Sequence, residues 1–207
     1  MKRIFVLFCL FTSSAFAISD NTGKNKLLEI LEKGNVKAFQ SQLNKESSEN
    51  ILSVLQTALV NEDTRFLKIL LKNKNALALL DSQPELAALP IQESLQKNLE
   101  TLMSVKPKIL KTTELKNKRS LLFEAVTHAN PELIKFIVGK EKSLISKLDD
   151  EGESILFAAA RRGDRDIAAY LVGLKLDLTL KNKKGQTAAD VALAEDFPKT
   201  ATILKAK

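Results

Sequence analysis

The sequence predicts an all-α fold, a solenoid of short paired helices, and three observations carry that expectation. A six-residue block recurs at nearly constant spacing. Ser154-Ile155-Leu156-Phe157-Ala158-Ala159 aligns with Ser120-Leu121-Leu122-Phe123-Glu124-Ala125 at an offset of 34, and Thr187-Ala188-Ala189-Asp190-Val191-Ala192 follows at 33. Such a period is the signature of stacked repeat units. A second apolar patch follows each block at a fixed distance. Turn-forming residues then fall at matching registers between the two.

The earliest block is Ser53-Val54-Leu55-Gln56-Thr57-Ala58, which lies 67 residues, or two periods, before Ser120. One divergent unit is therefore expected between them. The second patches are Phe66-Leu67 with Leu70-Leu71, Leu133-Ile134 with Phe136-Ile137, Ile167-Ala168 with Tyr170-Leu171, and finally Ile203-Leu204. Their spacing is helical rather than alternating, so each unit reads as two antiparallel helices. Ser53, Ser120, Ser154 and Thr187 are placed to N-cap the first helix of each unit. Pro131 and Pro198 open second helices, where the missing N–H has no partner to lose.

Gly34 and Gly163 occupy turns between the helices of a pair. Gly152 and Gly185, 33 residues apart, sit in hairpin-like turns just before the caps. All four are positions that want φ > 0. The core expectation is Leu28, Leu55, Leu122, Ala125, Leu156, Ala159, Ile167 and Leu171. The divergent third unit, between Asp81 and Lys108, should be irregular. Leu99, Leu102 and Met103 fit its second helix, Pro84 and Pro90 interrupt its first, and Ser82 to Glu85 is placed as a capping box. With Leu27 to Leu43 as an N-terminal cap, the array has about six units.

These residues resemble the ankyrin repeat, a turn plus two helices over about 33 residues with a Thr-Pro-Leu-His-x-Ala opening. The clearest copy runs from Asp149 to Leu180, with Gly152, Ser154, Leu156, Ala159, Ala160, Gly163, Ile167, Leu171 and Asp177 on the pattern. The chain departs where the family has Pro and His, carrying Ile155 and Phe157, Leu121 and Phe123, or Val54 and Gln56 instead. Loss of that His removes a polar link between neighbouring units. What the resemblance implies is protein binding through the turn tips and the groove of first helices. The expected binding residues are Phe123, His128, Asp150, Glu151, Phe157, Arg161, Arg162, Lys183 and Lys184.

Composition excludes much catalytic chemistry. One Cys and one His supply neither a cysteine zinc cluster nor a multi-histidine metal site, so no metal and no cofactor are expected. Ser94-Leu95-Gln96-Lys97 matches a Ser-x-x-Lys motif, but with 14 Ser and 26 Lys in the chain such a match arises by chance, and companion motifs are missing. The acidic run Asp149-Asp150-Glu151 with Glu153 reads as a solvated turn tip rather than a cation site. No catalytic residue is expected and the chain reads as a non-enzyme.

The N-terminus reads as an export signal. Met1-Lys2-Arg3 is basic, Ile4 to Phe11 is apolar but too short to span a bilayer, and Ala15-Phe16-Ala17 presents the small residues of a cleavage site. The expected organisation is a cleaved signal peptide at 1–17 and a repeat domain at 18–207, in the periplasm and without a membrane span. Cys9 leaves with the signal.

The formal charge of +7 is unevenly placed. Residues 18–103 carry 10 basic and 11 acidic side chains, whereas 104–207 carry 20 and 14, so the excess is C-terminal. A basic half favours an anionic partner. Export and the near absence of Tyr and Trp argue against nucleic acid.

The whole combination resembles the ankyrin self-protection, or immunity, proteins of predatory bacteria. That resemblance implies a partner of the penicillin-binding-protein type, a peptidoglycan D,D-endopeptidase whose active site is occluded to spare the producer's wall. Two other purposes fit the same binding fold: support of an antioxidant enzyme such as catalase, and action as an exported effector.

Overall fold

The computed structural model describes residues 25–205, and the signal segment at 1–17 lies outside them. Fourteen α-helices and three short 3-10 turns follow one another, with no strand among the described residues. They form six units, five of them helix pairs. The first two are α1 (Lys26–Glu32) with α2 (Val36–Leu43), and α3 (Ser48–Leu59) with α4 (Thr64–Leu70). The third unit contains α5 (Lys74–Ser82), a 3-10 turn at Pro84–Ala88, α6 (Leu89–Gln92), α7 (Gln96–Val105) and α8 (Ile109–Thr112). The last three are α9 (Leu121–Thr127) with α10 (Pro131–Lys140), α11 (Ile155–Arg162) with α12 (Arg165–Gly173), and α13 (Ala188–Ala194) with α14 (Pro198–Leu204).

First helices stack in one continuous column, α1 on α3, α3 on α6, α6 on α9, α9 on α11 and α11 on α13. Second helices form an outer layer in which α2 packs on α4, α4 on α7, and α12 on α14. One hydrophobic core runs the length of the stack. Each unit therefore packs its two helices on one another and buries the remaining apolar face against its neighbours.

Local chemistry explains the helix boundaries. In α11 the Ser154 hydroxyl accepts from the Leu156 N–H at 3.3 Å, an alanine-rich run propagates the helix, and Gly163 ends it at φ +68°. Ser120 and Thr187 cap α9 and α13 in the same way, as the repeat register predicts. Pro131 and Pro198 do open second helices. Four second helices also carry an Asx N-cap: Asn35, Asp63, Asn130 and Asp164.

Ser53 is not a cap. It lies inside α3, which begins earlier and takes Ser47 as its N-cap. Only residues 44–47 join α2 to α3, too few for a projecting turn, so the helix starts six residues upstream of the repeat register. Nor does Ser82 to Glu85 form a capping box, because the turn at Pro84–Ala88 has no side-chain cap and is opened by its proline. Pro90 likewise sits in the first turn of α6. The third unit's first helix is thus a 3-10 turn running into one α-helical turn, which is how it accommodates both prolines. Leu28 is half-buried rather than core, with Leu27 and Leu31 facing inward instead.

Gly34, Gly152, Gly163 and Gly185 all have positive φ, as their turn positions require. The structure adds that the helix-to-helix turn is left-handed even where glycine is missing: Ser94 at φ 60°, Ala129 at 53° and Asp196 at 63°. Ala129 aligns with Gly163 one period on. A β-carbon in this region costs about 1–2 kcal/mol, partly offset by the unfolded-state entropy that glycine adds. Ala129→Gly is therefore expected to stabilise the array by about 0.5–1 kcal/mol, read as a thermal midpoint raised by about 2 °C. A lowered midpoint contradicts this account of the turn.

Candidate protein-binding surface

Three hairpin-like fingers project from the C-terminal half, at 113–120, 147–154 and 180–187, ahead of α9, α11 and α13. Each closes on itself through a backbone bond: Leu115 N–H to Arg119 O, Asp149 N–H to Glu153 O, and Asn182 N–H to Gln186 O. Backbone bonds also link neighbouring fingers. The Asp150 N–H donates to Asn117 O at 2.9 Å, and the Lys183 N–H donates to Glu151 O at 2.9 Å.

Asp149 and Asn182 set the turns. One Asp149 carboxylate oxygen accepts from the Glu151 and Glu153 N–H groups at 2.9 and 3.0 Å, and Asn182 Oδ1 accepts from those of Lys184 and Gln186 at 3.0 Å. A side chain bracketing its own loop in this way fixes the tip conformation. Asp149 is fully buried and also faces Arg119 at 3.3 Å. Arg119 in turn lies over the Phe123 ring, 4.5 Å from its centroid.

Glu153 completes the bracing. Its carboxylate, 3% exposed, accepts two bonds from the Arg161 guanidinium at 2.5 and 2.6 Å and one from the Asn182 amide at 3.0 Å. The expectation that Asp149 and Glu153 are solvated tip residues is thus corrected, since both are buried braces while Asp150 and Glu151 are exposed. The polar link that loss of the family histidine was expected to remove is supplied instead by Arg119–Asp149 and Glu153–Asn182. Arg161 belongs to this brace and is not free to bind a partner with its full fork.

Phe123 and Phe157 are not groove surface. They are 3% and 1% exposed, taken into the core between first helices, because a ring without polar atoms gains more from packing than from water. His128 sits at the exposed C-terminus of α9, 3.2 Å from Glu124, which also accepts from Gln92 of the preceding unit at 2.7 Å. Arg162 stands one period on from His128 and is exposed. Lys183 and Lys184 are exposed at the last finger. The structure therefore gathers the exposed members of the set into two rows: the finger tips, and the C-terminal ends of the first helices. Arg119, Glu153 and Asn182 were missed by sequence reasoning, although the 33-residue spacing of Asp149 and Asn182 was a usable signal.

Burial alone would raise the Glu153 carboxyl, but the Arg161 guanidinium, the Asn182 amide and the nearby Arg119 charge hold it below its usual value. Its proton thus binds the unfolded chain first as pH falls. The stability it contributes is complete above the ordinary glutamate range near 4.5 and drains away as pH drops through the folded-state value. Because Arg161 is partly exposed, Glu153→Gln is expected to cost only about 1–2 kcal/mol at pH 7. That difference from the parent should shrink below about pH 4 in denaturant melts. A difference independent of pH contradicts the brace.

No three His, Asp or Glu side chains are grouped to hold a metal among the described residues. A depression of about 350 Å³, lined by Asn44, Lys72, Asn73, Lys74 and Asn75, lies in the N-terminal half away from the fingers. None of its residues belongs to the expected site. Among the described residues, no helix is long and apolar enough to cross a membrane.

A stack of helix pairs with braced, projecting fingers defines a helical repeat protein. The family model for ankyrin repeats matches residues 122–207 in three copies, the stretch that holds the last three units. Among curated proteins, none matches the sequence significantly. The chain is similar to a solved chain described as "Bd0816 Predatory Endopeptidase from Bdellovibrio bacteriovorus in complex with immunity protein Bd3460", the similar component being the immunity protein. Identity is 27%, the TM-score is 0.54, and the match covers 72% of this chain and 95% of that one. The fold and the neighbour together point to a binding module.

Proposed function

We propose that this chain is a non-enzymatic inhibitor that binds an exported peptidoglycan D,D-endopeptidase or carboxypeptidase of the penicillin-binding-protein type and covers its active site, protecting the producer's own wall. The observation that carries the reading is the likeness to the immunity protein of an endopeptidase complex, at 27% identity over nearly the whole of that chain. The fingers and the exposed ends of α9 and α11 form the docking surface. They belong to the half of the chain that holds the basic excess.

Export is part of the reading. Residues 1–17 act as a signal cleaved after Ala17, and the mature chain from Ile18 works in the periplasm. N-terminal sequencing of the secreted protein at Ile18 checks this step. The binding step is checked by titrating the mature chain against purified Bd0816 in a calorimeter. Saturable binding tighter than about 1 μM, or about −8 kcal/mol, supports the reading. No heat and no co-elution at tens of micromolar concentration contradicts it.

A further inference from the structure

At the tips of the three fingers, beyond the exposed Glu114 at the base of the first, the exposed charges alternate in sign from one unit to the next. The tip of the fourth unit presents Lys116 and Lys118, that of the fifth Asp150 and Glu151, and that of the sixth Lys183 and Lys184. Lys116, Asp150 and Lys183 occupy one position of the repeat, the next holds Asn117, Glu151 and Lys184, and the backbone bonds from Asp150 to Asn117 and from Lys183 to Glu151 place the tips side by side. Neighbouring tips are separated by about one helix-packing distance, roughly 10 Å.

The charges are held rather than waving on long loops. Asp149 and Asn182 bracket their turns from within, and Glu153 ties the last two fingers together. Among the described residues two ion pairs join the fourth and fifth fingers, Arg119 to Asp149 at the base and Lys118 to Asp150 at the tip, each at 3.3 Å. Lys116, Glu151, Lys183 and Lys184 have no ion-pair partner among the described residues. Four of the six charges thus face outward at fixed spacing with no ion-pair partner among the described residues. Pre-positioned charge of this kind sets register and rejects wrong partners more than it adds raw affinity.

From this row we infer that the fingers read a folded protein surface on which acidic, basic and acidic side chains follow one another at the repeat spacing. The inference rests on the inhibitor reading and names the chemistry of its partner. A uniform polyanion, whether glycan or nucleic acid, is disfavoured because the acidic fifth tip stands in the middle of the row and repels it. A uniformly acidic protein rim is disfavoured for the same reason.

The test compares three forms of the mature chain for binding to Bd0816 at low and at physiological salt: the parent, Lys183→Glu with Lys184→Glu, and Asp150→Lys with Glu151→Lys. All four positions are exposed, so unchanged melting confirms folding. Both paired variants are expected to lose at least about tenfold in affinity, about 1.4 kcal/mol, with a smaller salt dependence than the parent. If the parent binds and neither variant differs from it, the tips are not the reading surface. If the lysine reversal weakens binding while the acidic reversal tightens it, the partner is uniformly acidic and the alternation is not read. Equal binding of the parent to sodium polyglutamate overturns the inference in favour of a polyanion. No binding by the parent overturns it together with the inhibitor reading, which distinguishes that failure from one of the tips alone.

Discussion

Gly163→Ala is expected to destabilise the array by about 2–5 kcal/mol, a large effect for the addition of one methyl group. Two costs combine. The residue sits at φ +68°, where a β-carbon costs about 1–2 kcal/mol. That β-carbon would also overlap the Phe197 ring near its root, at Cγ and Cδ1, so the ring itself has to leave its place. Overpacking of this kind costs about 1–3 kcal/mol. Phe197 belongs to the following unit, and Thr200 of that unit donates to the Gly163 carbonyl at 2.8 Å, so the damage falls on the joint between the last two repeats. The double substitution separates the terms. In a Phe197→Ala background, Gly163→Ala should cost only the backbone share, about 1–2 kcal/mol, in urea unfolding. An equal cost in both backgrounds contradicts the overlap.

Asn98→Asp is expected to cost at least about 3 kcal/mol at pH 7, although it replaces one nitrogen by one oxygen. Asn98, 1% exposed on α7, donates its amide to the carbonyls of Ala58, Leu59 and Asn61 at 3.2, 2.8 and 2.9 Å. It closes the C-terminal end of α3, where the last carbonyls lack the N–H four residues on that a continuing helix would supply. A carboxylate there sets a buried negative charge against three acceptors, whereas its protonated form recovers one donor. The variant's carboxyl is thereby raised in the folded state, so the deficit should grow as pH rises and shrink toward pH 4. Chemical denaturation at pH 4 and pH 7 reads both quantities. A small deficit that does not change with pH contradicts the clasp.

Much of the architecture was legible because it depends on patterns within one or two turns of chain. The 33–34 residue period, the caps at Ser120, Ser154 and Thr187, and the positive-φ glycines all appear where their spacing places them. Ser53 misled because unit two lacks a finger, and a helix that starts early leaves the cap register without changing the apolar period. Ala129, Ser94 and Asp196 gave no sign of left-handed backbone, since the stacked helices impose that turn against local preference.

The binding surface was less legible for a different reason. Phe123 and Phe157 share a register, but a register does not say which face of a first helix the next unit covers. The brace joins Arg119 to Asp149 and Glu153 to Asn182, 30 and 29 positions apart, besides the nearer Glu153 and Arg161, and the long-range pairing follows only once the fingers are known to stand side by side. His128, Arg162, Lys183 and Lys184 remain at the surface, as expected of residues whose polar groups find no partner worth the loss of water.

The most direct test of the central reading is a titration of wall hydrolysis. A purified exported peptidoglycan D,D-endopeptidase of the proposed partner class is given isolated peptidoglycan, the mature chain is added from sub-stoichiometric to excess, and released muropeptides are followed. The account predicts that release falls in proportion to added chain and reaches near-complete inhibition close to equivalence. Undiminished release in the presence of excess folded chain contradicts it.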